Sequence, residues 1–439
     1  MMEYLVVLHI LLLFAIYRLF HRDLSSPSFL FISGFTIASY VAYCYRQEWD
    51  LGLHANTFFL IVSGSITFFI IEYIYRKKHT ILQSNVIINQ NAFLFSSYKL
   101  IAFAVFQMII YYLHYKQQVS FANTSVWANA ISEIDQDNKY GDKSFTLPWY
   151  INVPHAFCQV SGYVWICLFV YYLKLPKKYN RNKLLLGINM LLSMGGSLLS
   201  GGRMPLFGFL ILLGIMFFTL NNRRRSVKGW SLKQQLIIIF ISLLFIFSFS
   251  HIGTIIGRHE TDTMDAKYVL AVYCGAQIKN LDIYVNSKEP ASLNEYLPCP
   301  NSFLSFYEFF NTRLGVNIPI KEQSYDFIYN GKYFLGNVYT CYRIFYNDVK
   351  EFSFLLVGFS SLLGCILYRR FKGSAFFQTG RIDLNVFLYS FFCMGIFLSF
   401  FSELFLKRLL SVEYFMRSVI YFYIITYILY NKKKISFSL

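Results

Sequence analysis

Charge is scarce in this sequence. Asp, Glu, Lys and Arg make up only 14% of its 439 residues, where average chains carry about 25%. With 56% hydrophobic and 20% aromatic residues beside it, that shortage excludes a soluble globular protein of this length and points to a polytopic membrane protein. Metal and nucleotide motifs are missing too. There is no CxxC, no zinc-ligand spacing, no P-loop and no GxGxxG, and no Asp-x-Asp pair stands in a convincing external position. No metal and no cofactor is expected, and ATP-driven transport by this chain alone is disfavoured. The first apolar run, 4–19, follows Met-Met-Glu rather than a basic region, and no small-residue cleavage site comes after it. It is expected to be a retained span.

What is present is a series of apolar runs near 3–20, 27–45, 56–75, 98–115, 150–173, 184–200, 204–220, 235–251, 351–368, 384–402 and 413–430. The runs are continuous rather than alternating, which predicts helices and an all-α fold of about eleven transmembrane spans. The 40 Lys and Arg outnumber the 23 Asp and Glu, and they fall mainly in loops after odd spans, such as 76–78, 174–183, 223–233, 369–381 and 432–434. The positive-inside rule then puts the N-terminus outside and the C-terminus in the cytoplasm. It also accounts for most of the net charge of +17 without nucleic acid. The expected organisation is spans one to eight in 1–250, an external loop or cap in 251–350, and spans nine to eleven with a cytoplasmic tail in 351–439. Within the loop, Leu270, Tyr273, Cys274, Ile278, Leu281 and Val285 recur near a 3.6 period, which predicts a helix over 266–285. Cys274, Cys299 and Cys341 lie in this segment, where oxidation can occur.

Three stretches carry candidate chemistry. "SGGRMP" presents Arg203 at a two-glycine turn before Pro205, beside a helix N-terminus that favours anions. Arginine suits bidentate phosphate recognition; the plain alternative is an interfacial anchor. "GRHETD" sets Arg258, His259 and Glu260 side by side, a phosphate binder next to two proton acceptors, or else an ordinary charged surface after a span. "GNVYTCYRIFYND", residues 336–348, offers Asn337, Tyr339, Arg343 and Asp348, groups suited to sugar rings, or else an aromatic belt leading into a span. Arg417, early in the last span, is a further cation or a helix-end anchor.

These motifs, in this order and on one side of the membrane, together with Gly214 after ten residues beyond Arg203 and "YVLAVYCGAQIKNLDIYV" in the loop, resemble the bacterial oligosaccharide repeat-unit polymerases, the Wzy-type O-antigen and capsule polymerases. The likeness covers about 170 residues. It departs where "VKEF" follows Asp348 and where no Gly lies at the matching distance from Arg343. The resemblance implies an integral glycosyltransferase of the bacterial cytoplasmic membrane. Such an enzyme joins undecaprenyl-pyrophosphate-linked oligosaccharides at the outer face, among membrane lipids and beside a chain-length regulator and a flippase. Arg203, Arg258, Arg343 and Arg417 would meet the pyrophosphate, with Tyr339, Asn337 and Tyr273 at the substrate. His259, Glu260 or Asp348 would take the acceptor proton. The alternatives are an O-antigen-ligase-like transferase and a flippase of the same lipid-linked sugars. A flippase should line its spans with polar groups, and the mid-span positions read as almost all apolar.

Overall fold

The computed structural model describes residues 1–79, 95–140, 145–200, 204–222, 266–287, 297–320, 327–331 and 333–431. In chain order its helices are α1 (Met2–Leu19), α2 (Pro27–Cys44), α3 (Ala55–Lys78), α4 (Ser97–Phe121), α5 (Trp127–Tyr140), α6 (Trp149–Tyr172), α7 (Asn180–Ser197), α8 (Met204–Asn222), α9 (Ala266–Asn286), α10 (Leu304–Leu314), α11 (Cys341–Val349), α12 (Ser353–Lys372), α13 (Phe376–Thr379), α14 (Leu384–Phe397), α15 (Phe405–Leu410) and α16 (Val412–Tyr430). One antiparallel hairpin, β1 (Ile328–Asn330) with β2 (Tyr333–Gly336), precedes α11. The protein is an all-α, multi-pass membrane protein. Among the described residues six helical stretches are long and apolar enough to cross a bilayer: α1, α2, α3, α6, the stretch containing α12, and α16. Pro205–Leu220 and Leu384–Phe400 are shorter apolar helices. The runs near 98–115 and 184–200 form α4 and α7, which are not among the six. The run 235–251 lies outside the described residues. Helix α1 has the burial pattern of a lipid-facing span: Val7, Leu11 and Phe14 are exposed while Leu5 and Ile16 are buried, so its apolar stripe faces outward.

Contacts divide the chain into two units. The first comprises 1–84, 261–373 and 388–415. Here Ser26 caps α2 by accepting from the Phe29 N–H, and Pro27 takes the first helical position, where its missing N–H costs nothing. His9 on α1 bonds Ser39 of α2 at 2.9 Å and Ser65 of α3 at 3.2 Å. One imidazole thus ties three helices. At one end of the unit Asp23 meets Lys372 at 3.2 Å, and Arg76 pairs with Glu72 at 2.7 Å. The expected helix over 266–285 is α9, which packs on α2 and α3 and buries Ile278 and Leu281.

The second unit comprises 85–260, 374–387 and 416–439, with α6 at its centre and Val164, Trp165 and Ile166 fully buried. Its interior corrects the expectation of apolar mid-spans. Gln107 Nε2 donates to Asn189 Oδ1 at 2.8 Å, and Ser193 Oγ donates to Gln107 Oε1 at 2.8 Å. Asn189 Nδ2 donates to the carbonyls of Leu100 and Leu185. Tyr111, His114 and Gln118 continue this face of α4 and are all buried. The 107, 111, 114, 118 spacing is helical, so the stripe was present in the sequence but masked by the apolar residues between.

Candidate functional site

Helix α11 begins at Thr340, whose hydroxyl accepts from the Tyr342 N–H at 3.2 Å. Its apolar side, Cys341, Tyr342 and Phe345, is buried. Tyr342 anchors it: the hydroxyl donates to the Ile61 carbonyl at 3.1 Å, and the ring lies over Gly64, where any Cβ would collide with the phenol. Ile61 is six residues into α3, so this anchor sits roughly 9 Å below the start of that helix. The segment leading into α11 is fixed from α9, where Asn280 Nδ2 donates to the Leu335 carbonyl at 3.0 Å and the Val338 carbonyl at 2.9 Å.

This scaffold buries a cation. Arg343 is 7% exposed. Its guanidinium carbon stands 3.9 Å from the Tyr339 ring centre and 4.5 Å from that of Tyr284. The two rings are tilted at 71° to each other, and the Tyr284 hydroxyl donates to Asn347 Oδ1 at 2.5 Å. Aromatic faces attract a guanidinium by about 2 kcal/mol when water is excluded, and its planar fork holds the N–H groups in fixed directions. Asn337 is half-buried on the same segment as Tyr339.

Asp348 has a different surrounding. Its Oδ1 accepts from the backbone and side-chain nitrogens of Asn301, at 2.9 and 2.7 Å, and its Oδ2 from the backbone N–H and hydroxyl of Ser302, at 2.8 and 2.5 Å. Four donors fill a carboxylate's usual acceptor positions. Here Asp348 braces the loop before α10.

Tyr273 does not join the Arg343 cluster. It lies eleven residues before Tyr284 on α9, roughly 16 Å along the helix, and stacks on Phe401 at 6.0 Å. Arg417 is half-buried on α16 in the second unit. Arg203, Arg258, His259 and Glu260 lie outside the described residues. Cys274, Cys299 and Cys341 are free thiols.

Sequence reasoning missed Tyr284, Asn280 and Glu403. The first two follow Gln277 at three- and four-residue steps in "QIKNLDIY", a polar stripe on an otherwise apolar face. Glu403 is a lone acid ending an apolar run, which is itself a signal. It is buried in the turn between α14 and α15 and lines a small cavity with Cys341 and Phe345 of α11. Comparison of the chain with protein-family models, curated proteins and solved structures found no match in any of the three.

Proposed function

We propose that this protein is an integral-membrane glycosyltransferase that polymerises oligosaccharide repeat units carried on a lipid pyrophosphate, at the outer face of the bacterial cytoplasmic membrane. The observation that carries the reading is Arg343, a buried cation held between two tyrosine rings. The Arg76 and Lys372 end of the first unit is rich in basic residues, which the positive-inside rule assigns to the cytoplasm. Helix α11 packs near the opposite end of α3, which the same rule would put on the outer side.

In the reaction an acceptor hydroxyl attacks the anomeric carbon of the donor sugar. The new C–O bond forms as the bond to pyrophosphate breaks, and the electron pair leaves with the phosphate. A fixed guanidinium in a water-poor site stabilises that departing charge more than an exposed one would. The tyrosine hydroxyl and amide groups of the 337–347 segment suit sugar hydroxyls. Arg203 and Arg258 remain candidates for the second phosphate, and the undecaprenyl carrier, the eleven-span count and the N-out, C-in topology belong to the same proposal. A ligase-like transferase would use the same cation.

A transporter of the same lipid-linked sugars is the second reading, and the buried polar stripe of α4 is the observation in its favour. The stripe's amides are engaged with one another and with carbonyls, the pattern of helix adhesion. The test is purified protein in vesicles, supplied with a lipid-linked repeat unit. Polymerase activity gives a ladder of longer glycans. Transport gives a change of leaflet with no change in glycan length, and that result would replace the first reading by the second.

A further inference from the structure

Helix α10 is held at both ends and buries none of its side chains. Before its start, Asn301 and Ser302 bond Asp348 of α11. At its end Gly315 takes the left-handed conformation that stops a helix, at φ 65°. Asn311 clamps the chain beyond, accepting from the Ile318 N–H at 2.8 Å and donating to the Ile318 carbonyl at 2.7 Å. Arg313 pairs with Glu413 at 2.9 Å. Yet none of the 11 residues of α10 is buried. So short a helix is marginal by itself in water, and helices in proteins draw most of their stability from a packed apolar face.

The apolar face is there. Phe303, Phe306, Tyr307, Phe310 and Leu314 recur at three- and four-residue steps, while Ser305, Glu308 and Thr312 take the opposite side. The Phe306 and Phe310 rings stand 4.8 Å apart, and Phe306 and Leu314 are exposed. Glu413 indicates what covers this face. It lies in the first turn of α16, a helix long and apolar enough to cross a bilayer. The 19 residues of α16 reach roughly 28 Å, against about 30 Å of hydrocarbon, so its first turn lies where the hydrocarbon ends. Further along α16, Met416, Ile420 and Tyr427 are exposed and apolar, the pattern of a lipid-facing surface. The ion pair thus sets α10 level with the boundary of water and lipid, where aromatic residues concentrate.

We propose that α10 is an interfacial helix that lies along the membrane surface, with Phe306, Phe310 and Leu314 in the lipid and Glu308 and Thr312 facing water. Its partner is the bilayer itself. A surface for glycans needs polar side chains among its rings to take sugar hydroxyls. This stripe carries one hydroxyl, that of Tyr307, and it donates to the Pro298 carbonyl at 2.7 Å. An amphipathic helix with aromatic residues on its apolar side binds a bilayer through the apolar area it inserts. The insertion of α10 does not depend on the polymerase reading.

The test places a nitroxide label on each side of the helix in the full-length protein, reconstituted in vesicles of phosphatidylethanolamine and phosphatidylglycerol. Phe306→Cys, Phe310→Cys, Glu308→Cys and Thr312→Cys are each made in a Cys44→Ser background, because Cys44 is an exposed thiol. The unsubstituted background, labelled in parallel, gives the signal of the remaining cysteines. Spin relaxation is then measured with oxygen, which concentrates in lipid, and with a water-soluble nickel complex. The ratio of oxygen to nickel effect should be several-fold higher at 306 and 310 than at 308 and 312. If Phe306→Cys or Phe310→Cys does not run as a monodisperse species, Leu314→Cys, at a position already 59% exposed, reads the same face. Strong nickel relaxation at all positions would put the aromatic face in water, free for a glycan, and overturn the proposal. Protection of 306 and 310 from both reagents would overturn it too, since another protein or a second copy of this chain would then cover the face.

Discussion

Arg343 lies between two tyrosine rings at the start of a helix, whereas Gln107, Asn189 and Ser193 lie in mid-helix and bond to one another. Both groups are buried. The second is uncharged and its hydrogen bonds close on themselves and on backbone carbonyls, which holds α4 to α7. The first is a full charge stacked on aromatic faces, which attract a guanidinium without cancelling its charge. The difference teaches that burial of polar groups does not mark a function. What separates adhesion from chemistry in this proposal is that only one of the two groups carries a charge that can balance a departing phosphate.

That contrast can be broken from either side. The largest effect is expected for Gly64→Ala. The new methyl would collide with the Tyr342 phenol and lift α11 from α3, costing roughly 1–3 kcal/mol of stability. Thermal unfolding in detergent and polymer formation should both suffer. An unchanged melting curve would show that α11 is not anchored there. In the amide stripe, Asn189→Leu should also cost about 1–3 kcal/mol, because it strands Gln107. The double change Gln107→Leu with Asn189→Leu should recover much of that loss. Polymer made per folded molecule should stay at the parental level in both. A stripe that transports substrate would instead lose function in the double variant.

A third comparison concerns Asp348. Asp348→Asn keeps two acceptor sites and should cost about 1 kcal/mol, with polymer formation within a few-fold of the parent. A loss of a hundredfold or more would return Asp348 to the role of base. The smallest effect is a pH dependence of stability. Unfolded, Glu403 ionises near its ordinary value of 4.5, and folded near 7. The folded protein therefore binds more protons in between, so stability falls as pH rises from about 4.5 to 7 and then levels off. Melting temperatures measured over that range should decline in the parent and decline less in Glu403→Gln. Equal slopes would place the titration elsewhere.

Much of the architecture was legible in the sequence. Continuous apolar runs gave the helices, and the 3.6 period of Leu270 to Val285 gave α9, because both signals are local. The partners of α9 were not legible. Asn280 acts on Leu335 and Val338, more than fifty residues away, and no spacing reports such a contact. Arg343 and Tyr339 were legible as residue types, while their cradle needed Tyr284 from a helix distant in the chain. Asp348 shows the limit from the other side. A carboxylate beside an arginine looks like a catalytic pair, and only the positions of Asn301 and Ser302 reveal where its lone pairs point. The polar stripe of α4 was hidden because Met108, Ile109, Ile110 and Leu113 lie between its members and make the run read as apolar.

The central claim is that Arg343 receives the pyrophosphate charge. It is tested most directly by Arg343→Lys, assayed as polymer ladder formation in vesicles at matched protein levels. Lysine keeps the positive charge and the long stem but loses the planar fork and much of the stacking. If the fork holds phosphate, one charge-assisted hydrogen bond of roughly 1.5–3 kcal/mol is lost, and the rate should fall about tenfold or more while the melting temperature changes little. A Lys variant that builds the ladder at the parental rate would contradict the claim and leave Arg343 as a packing residue between two tyrosines.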